Sequence, residues 1–199
     1  MLLPYLKADR IEAGCDEVGR GCLCGPVVAA AVILPPAYAN EWINDSKKIA
    51  KNKRSFLTDE IKKQAVAWGI GLAEVAEIDQ MNILNASFLA MHRAIDDLKV
   101  KPEHLLIDGN RFRSKHAIPF DCIIKGDGKY ASIAAASILA KTYRDQLMVS
   151  LARDYPGYGW EKNVGYPTKK HREGIRKLGA SPLHRKSFRL LPDQLNTDL

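Results

Sequence analysis

Asp16 and Glu17 are adjacent carboxylates, followed at once by Gly19-Arg20-Gly21. Two more acids, Asp108 beside Gly109 and Asp127 beside Gly126, occur much further along the chain. Each aspartate taken singly reads as a turn former next to glycine. Taken together they would repel one another, and carboxylates are costly to bury unless they bind a cation. Mg²⁺ and Mn²⁺ take oxygen ligands. Two such ions, about 3.5–4 Å apart, drive in-line phosphoryl displacement, one activating a water and the other stabilising the leaving oxygen. No Ser-His or Cys-His pairing and no Walker-type phosphate loop stands out from the motifs,. A basic C-terminal stretch completes the pattern and points to a nuclease.

The elements that must position these acids follow from the hydrophobic pattern. Residues 10–15 suit a strand, and residues 27–34 form a short apolar run rich in β-branched side chains, as in a buried strand,. The acidic pair is then expected where the first strand turns into the second. Successive strand residues face opposite sides. Gly14, Gly19 and Gly21 would therefore supply a bulge or sharp turn, aiming both acids at one site or turning the Glu17 carbonyl inward. Asn44-Asp45-Ser46-Lys47-Lys48 either holds a phosphate or caps a helix over 51–67, where Leu57, Ile61 and Ala65 recur every four residues. Residues 68–73 alternate as a third strand. A single helix is expected over 78–98, since Leu84, Phe88, Met91, Ile95 and Leu98 recur at helical spacing,. Residues 104–110 and 121–127 read as short strands, each closing on an aspartate beside a glycine. A long helix over 132–153 begins with small residues that allow close packing, and a basic helix covers 168–178. The pattern is α/β, a mixed sheet flanked by helices. All the acids would sit near the carboxyl ends of strands, where sites gather in such sheets.

The 199 residues are 46% hydrophobic and 27% charged, which is ordinary globular composition,. The net charge of +7 is concentrated between positions 160 and 189, where nine Lys and Arg face only Glu161 and Glu173. Such a segment fits a polyanionic partner. The division expected is a catalytic domain over 1–155 and a basic segment over 156–199 packed on it for substrate binding. Cys15, Cys22, Cys24 and Cys122 show no metal-like spacing and suit free thiols in a reducing compartment,. No apolar run approaches the ~20 residues of a membrane span. The opening residues 1–7 lack the features of a signal peptide, so a cytoplasmic location is expected.

In order and spacing, Asp16-Glu17-Val18-Gly19-Arg20-Gly21, Asn44-Asp45-Ser46-Lys47-Lys48, Ile107-Asp108-Gly109-Asn110 and Lys125-Gly126-Asp127 resemble bacterial ribonuclease HII, of the type 2 ribonuclease H family. So do the run from Ala134 to Lys141, Arg144-Asp145, Gly165-Tyr166-Pro167-Thr168 and Ser187-Phe188. The resemblance covers positions 13–188 and implies a ribonuclease H-like fold. It implies hydrolysis of the RNA strand of RNA–DNA hybrids, and incision 5′ of a single ribonucleotide in duplex DNA, leaving 3′-hydroxyl and 5′-phosphate ends. Asp16, Glu17, Asp108 and Asp127 would be the catalytic and metal-binding set, for two Mn²⁺ or Mg²⁺ ions. Gly19, Arg20 and Gly21 would meet the 2′-hydroxyl and a phosphate, the 2′-hydroxyl being what distinguishes RNA from DNA. Tyr166 would stack on the deoxyribose that follows. Ser46, Lys47, Lys169 and Lys170 are expected to bind substrate as well. Cys22 departs from the family, which often has proline there, and touches only loop stiffness. Cys15 and Cys22 flank the acidic stretch, either as oxidant-sensitive thiols or as small hydrophobes filling gaps.

A monomer acting on hybrid and ribonucleotide-containing duplex is expected. Gln194-Leu195 resembles a sliding-clamp-binding peptide, but Asn196-Thr197-Asp198 lacks the hydrophobic follow-up, so a clamp partner has weak support. A junction resolvase would share acidic strand ends but has no use for Gly-Arg-Gly and Gly-Tyr-Pro at these places. A silent hybrid-binding module would have lost a carboxylate.

Overall fold

The computed structural model describes residues 2–38, 40, 42–43 and 51–192. At its centre is a five-stranded sheet in the order β3-β2-β1-β4-β5. The strands are β1 (Glu12–Val18), β2 (Val27–Ile33), β3 (Ala67–Ala73), β4 (His104–Asp108) and β5 (Phe120–Ile123). β1, β2 and β3 run antiparallel to their neighbours, whereas β4 pairs parallel with β1 and β5 parallel with β4. Every residue of β2 is buried. That is why its sequence is unbroken apolar rather than alternating, as in strands covered on both faces.

One face is covered by α2 (Val75–Met81) and α3 (Ile83–Asp96), the other by α1 (Lys51–Gln64) and α4 (Ala131–Asp154). Small residues set these distances. A Cβ on Gly71 would lie 2.1 Å from the Ala90 carbonyl oxygen, and one on Gly14 would lie 2.3 Å from the Ile133 nitrogen. The α3 and α4 backbones therefore approach the sheet closely only because those positions are glycine. Side chains such as Leu105 and Ile138, fully buried on opposite faces, each contribute about 1.5–3 kcal/mol over exposure.

Three expectations need correction. The helix expected over 78–98 is two helices. Asn82 breaks it with φ of 70°, and its side-chain oxygen accepts hydrogen bonds from the Leu84 and Asn85 amides at the start of α3. The acidic pair does lie at the end of β1, just before the chain turns, but no bulge or turn aims both acids at one face: β1 keeps unbroken antiparallel register through Asp16↔Ala30 and Glu17↔Ala29. Asp127 is not at a strand end but in a 3₁₀ turn, Gly126–Gly128, beyond β5.

The C-terminal residues form α5 (Trp160–Asn163) and α6 (Lys169–Leu178). They bury Tyr158, Trp160 and Ile175 against Leu23, Cys24 and Met148. No helix is long and apolar enough to cross a membrane among the described residues.

Candidate functional site

With regular register, Asp16 and Glu17 point to opposite faces of β1. Asp16 faces α4, where the Ser137 side chain and the Glu17 amide (2.7 Å) hydrogen-bond to it. Glu17 lines a cavity of about 230 Å³ on the α3 side, bounded by Ser87, Phe88, Asp108 and Arg111. What joins them is Asp108, the last residue of the neighbouring parallel strand. Burial raises the Asp16 carboxyl well above its usual range, and the charges of Glu17 and Asp108 raise it further. Glu17 is raised by burial and by Asp108, against the lowering effect of Arg20, whose Nη1 lies 3.1 Å from Glu17 Oε1.

Asp127 sits in the turn that meets Asp108. Lys125 takes a left-handed conformation, φ 56°, and the next amide, that of Gly126, donates to Asp108 Oδ1 at 2.7 Å. The buried Asp127 is therefore one residue from the amide that orients Asp108. A non-glycine residue held at positive φ is a strained conformation, and here it sets the site's geometry.

The donors are all carboxylate oxygens, and two of the acids are held out of water at raised pKa. Such a set suits a hard divalent cation, which relieves the repulsion. Among the described residues no three of these oxygens lie within 4.8 Å of one another. Cys24, His171 and His184 do form a group that tight.

The residues expected from the sequence to meet substrate follow β1 directly or pack near it. Gly19 has φ of +97°, and a Cβ there would lie 2.2 Å from Arg144 Nε, so both backbone and packing require glycine,. Gly21 is different. It is exposed, and a Cβ there would meet nothing within 4 Å. The chain itself gives no reason for a glycine at 21, whereas a closely approaching ligand does. Tyr166 is half-buried, with Cys22 beside its phenol and Lys141 Nζ 5.4 Å from its ring centre. Lys141 is held by Asp145 at 2.6 Å, and Asp145 by Arg54 at 3.1 Å.

Lys169 and Lys170 are exposed at the start of α6, but neither is isolated. Lys170 Nζ lies 3.0 Å from Glu161, and Lys169 Nζ lies 3.9 Å from Glu173. Ser46, Lys47 and Gln194-Leu195 lie outside the described residues. Not all of the positive charge counted over 160–189 is available to a polyanionic partner, because Arg185 is fully buried. Arg144 is equally buried, and the two guanidiniums donate to backbone carbonyls of Arg20, Cys24, Gly25, Pro26 and Val164. Cys15 and Cys22 are fully buried too, as gap-filling residues are.

Sequence reasoning missed four residues here: Ser137 on Asp16, Lys141 on Tyr166, and Arg111 and Arg113 along the groove that continues past Phe88 and Phe112. Alternation in Arg111-Phe112-Arg113 was the available signal for the last two, since it places two cations on one side and a buried ring on the other.

The family model for Ribonuclease HII matches residues 13–191. The Ribonuclease HII of Parabacteroides distasonis is 63% identical over 195 residues, covering 98% of both chains. Among solved structures, the RNase HII of Archaeoglobus fulgidus, in its complex with PCNA, superposes with a TM-score of 0.74 at 24% identity, covering 93% of this chain and 98% of that one. Bst-RNase HIII in complex with Mn²⁺ superposes with a TM-score of 0.69 at 21% identity, covering 85% and 63%. At such identities the structural likeness establishes the ribonuclease H-like fold.

Proposed function

The chain belongs to the ribonuclease HII family and is an endoribonuclease, and we propose that it cuts RNA–DNA hybrids and also incises 5′ of single ribonucleotides in duplex DNA. The observation that carries this reading is the meeting of Asp16, Glu17 and Asp108 across the paired strands β1 and β4, a few residues from the open backbone at Gly21. A charged phosphodiester and the sugar next to it can be held there at once.

Asp16, Glu17, Asp108 and Asp127 would hold divalent cations, two Mn²⁺ or Mg²⁺ in the working complex. When bound, such ions activate a water and stabilise the leaving oxygen of an in-line displacement. Water adds to phosphorus, the P–O3′ bond breaks, and the ends left are a 3′-hydroxyl and a 5′-phosphate. The chain's own residues supply position. The turn at Gly19-Arg20-Gly21 presents its backbone to the 2′-hydroxyl, while Arg20, held by Glu17, lies ready for a neighbouring phosphate. Tyr166 offers its ring to the deoxyribose that follows. Lys169, Lys170, Ser46 and Lys47 contact phosphates, which position the duplex without reading sequence. In this reading residues 156–199 serve substrate binding and the enzyme works as a monomer. A sliding clamp stays a secondary partner, supported by the Archaeoglobus fulgidus relative's complex and by Gln194-Leu195.

The test is a duplex DNA carrying one ribonucleotide, incubated with Mg²⁺ or Mn²⁺, with the cut mapped to the nucleotide. A single nick on the 5′ side with 3′-hydroxyl and 5′-phosphate ends is expected. Asp127→Asn should give no nick while still binding hybrid in Ca²⁺. A cut elsewhere, or full activity of Asp127→Asn, would remove the reading.

A further inference from the structure

The two elements proposed to read the substrate, Gly19-Arg20-Gly21 and Tyr166, lie far apart in sequence, and one dipeptide links them, directly to the first and through His171 to the second. Arg185 Nη1 donates to the Arg20 carbonyl at 2.9 Å, while its Nε and Nη2 both reach the Gly25 carbonyl, at 3.0 and 2.9 Å. Its own amide donates to Leu23 O at 2.9 Å. The donors of this buried guanidinium are spent on backbone carbonyls. Its neighbour His184 turns the other way, into a cluster with His171, Trp160 and Cys24.

Hydrogen-bond directions in that cluster are fixed by backbone groups. The Ser181 amide donates to His184 Nδ1 at 2.9 Å, so Nδ1 carries the lone pair and the proton of the neutral ring is on Nε2,. His184 Nε2–H therefore points to His171 Nε2 at 3.1 Å and shares that nitrogen's single lone pair with Trp160 Nε1–H at 2.9 Å, as two arms of a three-centre bond,. His171 in turn carries its proton on Nδ1 and donates it to the Tyr166 carbonyl at 2.9 Å. Burial lowers the pKa of both rings, His184 to about 4, so both are neutral near pH 7. The same bookkeeping of protons argues against a metal on Cys24, His171 and His184. A neutral His184 that accepts an amide at Nδ1 has no lone pair left at Nε2, and the His171 lone pair already takes Trp160.

We propose that His184-Arg185 is a strut that sets the spacing between the 2′-hydroxyl reader and Tyr166, and thereby the enzyme's preference for an RNA-to-DNA junction over a continuous hybrid. The proposal rests on the junction reading given above. His184 and Arg185 are positioning residues: neither touches substrate, and each acts through a carbonyl it anchors, directly for Arg20 and through His171 for Tyr166. Two further bonds close the frame, Leu23 N–H to Gly165 O at 2.9 Å and Arg144, which spans the Cys24 and Val164 carbonyls at 3.0 and 2.8 Å. With the turn and the tyrosine loop tied at so many points, a small shift of one relative to the other is what losing the strut would produce.

The experiment measures kcat/KM on duplex DNA with one ribonucleotide and on a continuous RNA–DNA hybrid, for His184→Phe, His184→Gln and Tyr166→Ala, with thermal midpoints recorded for each. His184→Phe keeps a ring but removes one of the two donors to His171 Nε2, and a misplacement of this kind is expected to cost about tenfold on the junction substrate. Its loss on the continuous hybrid should be under about threefold, because there the following sugar is not read. His184→Gln keeps an N–H near the Nε2 position and should recover most of the junction activity even if its midpoint is lower. Equal losses on both substrates for His184→Phe, or no recovery in His184→Gln, overturn the strut, provided Tyr166→Ala shows its selective loss. Equal losses for Tyr166→Ala overturn the junction reading and the strut with it.

Discussion

Asp16 and Glu17 are neighbours in sequence that never share a face of the sheet, and their common chemistry comes from a third residue, Asp108, on the next strand. The sequence singles out four acids as candidates, because four carboxylates near glycines and strand ends have few uses together. It does not show how they meet, since that depends on β1 and β4 being adjacent and parallel. The buried arginines were also illegible. Arg185 counts toward the basic stretch of 160–189 by composition, and only the fold reveals that it and Arg144 spend their donors on backbone carbonyls. The charge on Asp16 should be measurable as a destabilising term. Its folded pKa lies above the unfolded value of 3.8. The folded state is therefore favoured while the group is protonated, and that advantage is lost as pH rises from 3.8 through the folded pKa. Near pH 7 in chelator, Asp16→Asn should raise the thermal midpoint, by roughly 2–4 °C for each ~1 kcal/mol of repulsion removed. Adding Mn²⁺ should then stabilise the wild type more than the variant. A lower midpoint for Asp16→Asn in chelator would mean that its bonds to Ser137 and the Glu17 amide outweigh the repulsion.

Among the elements, the strongly patterned ones were legible: β2 as a fully apolar run, β3 by alternation, α4 and α6 within a residue or two. Asn82 was not, because the apolar spacing runs on across it and only its capping bonds to Leu84 and Asn85 reveal the break. The four-residue α5 was invisible for lack of periodicity. In α6 the sequence reading survives in part. His171, Gly174 and Ile175 are buried, leaving Lys169, Lys170, Arg176 and Lys177 outside. The ion pairs of Lys169 and Lys170 with Glu173 and Glu161 are exposed and so weak, and a phosphate can replace them. Lys169→Ala with Lys170→Ala should weaken hybrid binding and reduce the slope of log K against log salt by roughly 0.9 per lost phosphate contact. The cut position should not move. A salt slope identical to wild type would show that this end of α6 faces water in the complex.

As a whole molecule, the protein sets carboxylates at the ends of β1 and β4 and mounts next to them the Gly19–Gly21 turn and the Tyr166 loop, proposed to read the sugars, tied to each other and to α4. The chain's +7 charge supplies attraction to any polyanion, so charge alone leaves the place of the cut undetermined. The central claim is that the place is chosen by a ribose followed by a deoxyribose, read together by the Gly19–Gly21 turn and Tyr166. Tyr166→Ala tests it most directly, with kcat/KM measured on a single embedded ribonucleotide and on a continuous hybrid at matched metal concentration. The account predicts a loss of at least tenfold on the first substrate, ~1.4 kcal/mol of transition-state stabilisation, and a clearly smaller loss on the second. Equal losses on the two would contradict it and leave Tyr166 as a residue that merely packs beside Pro167.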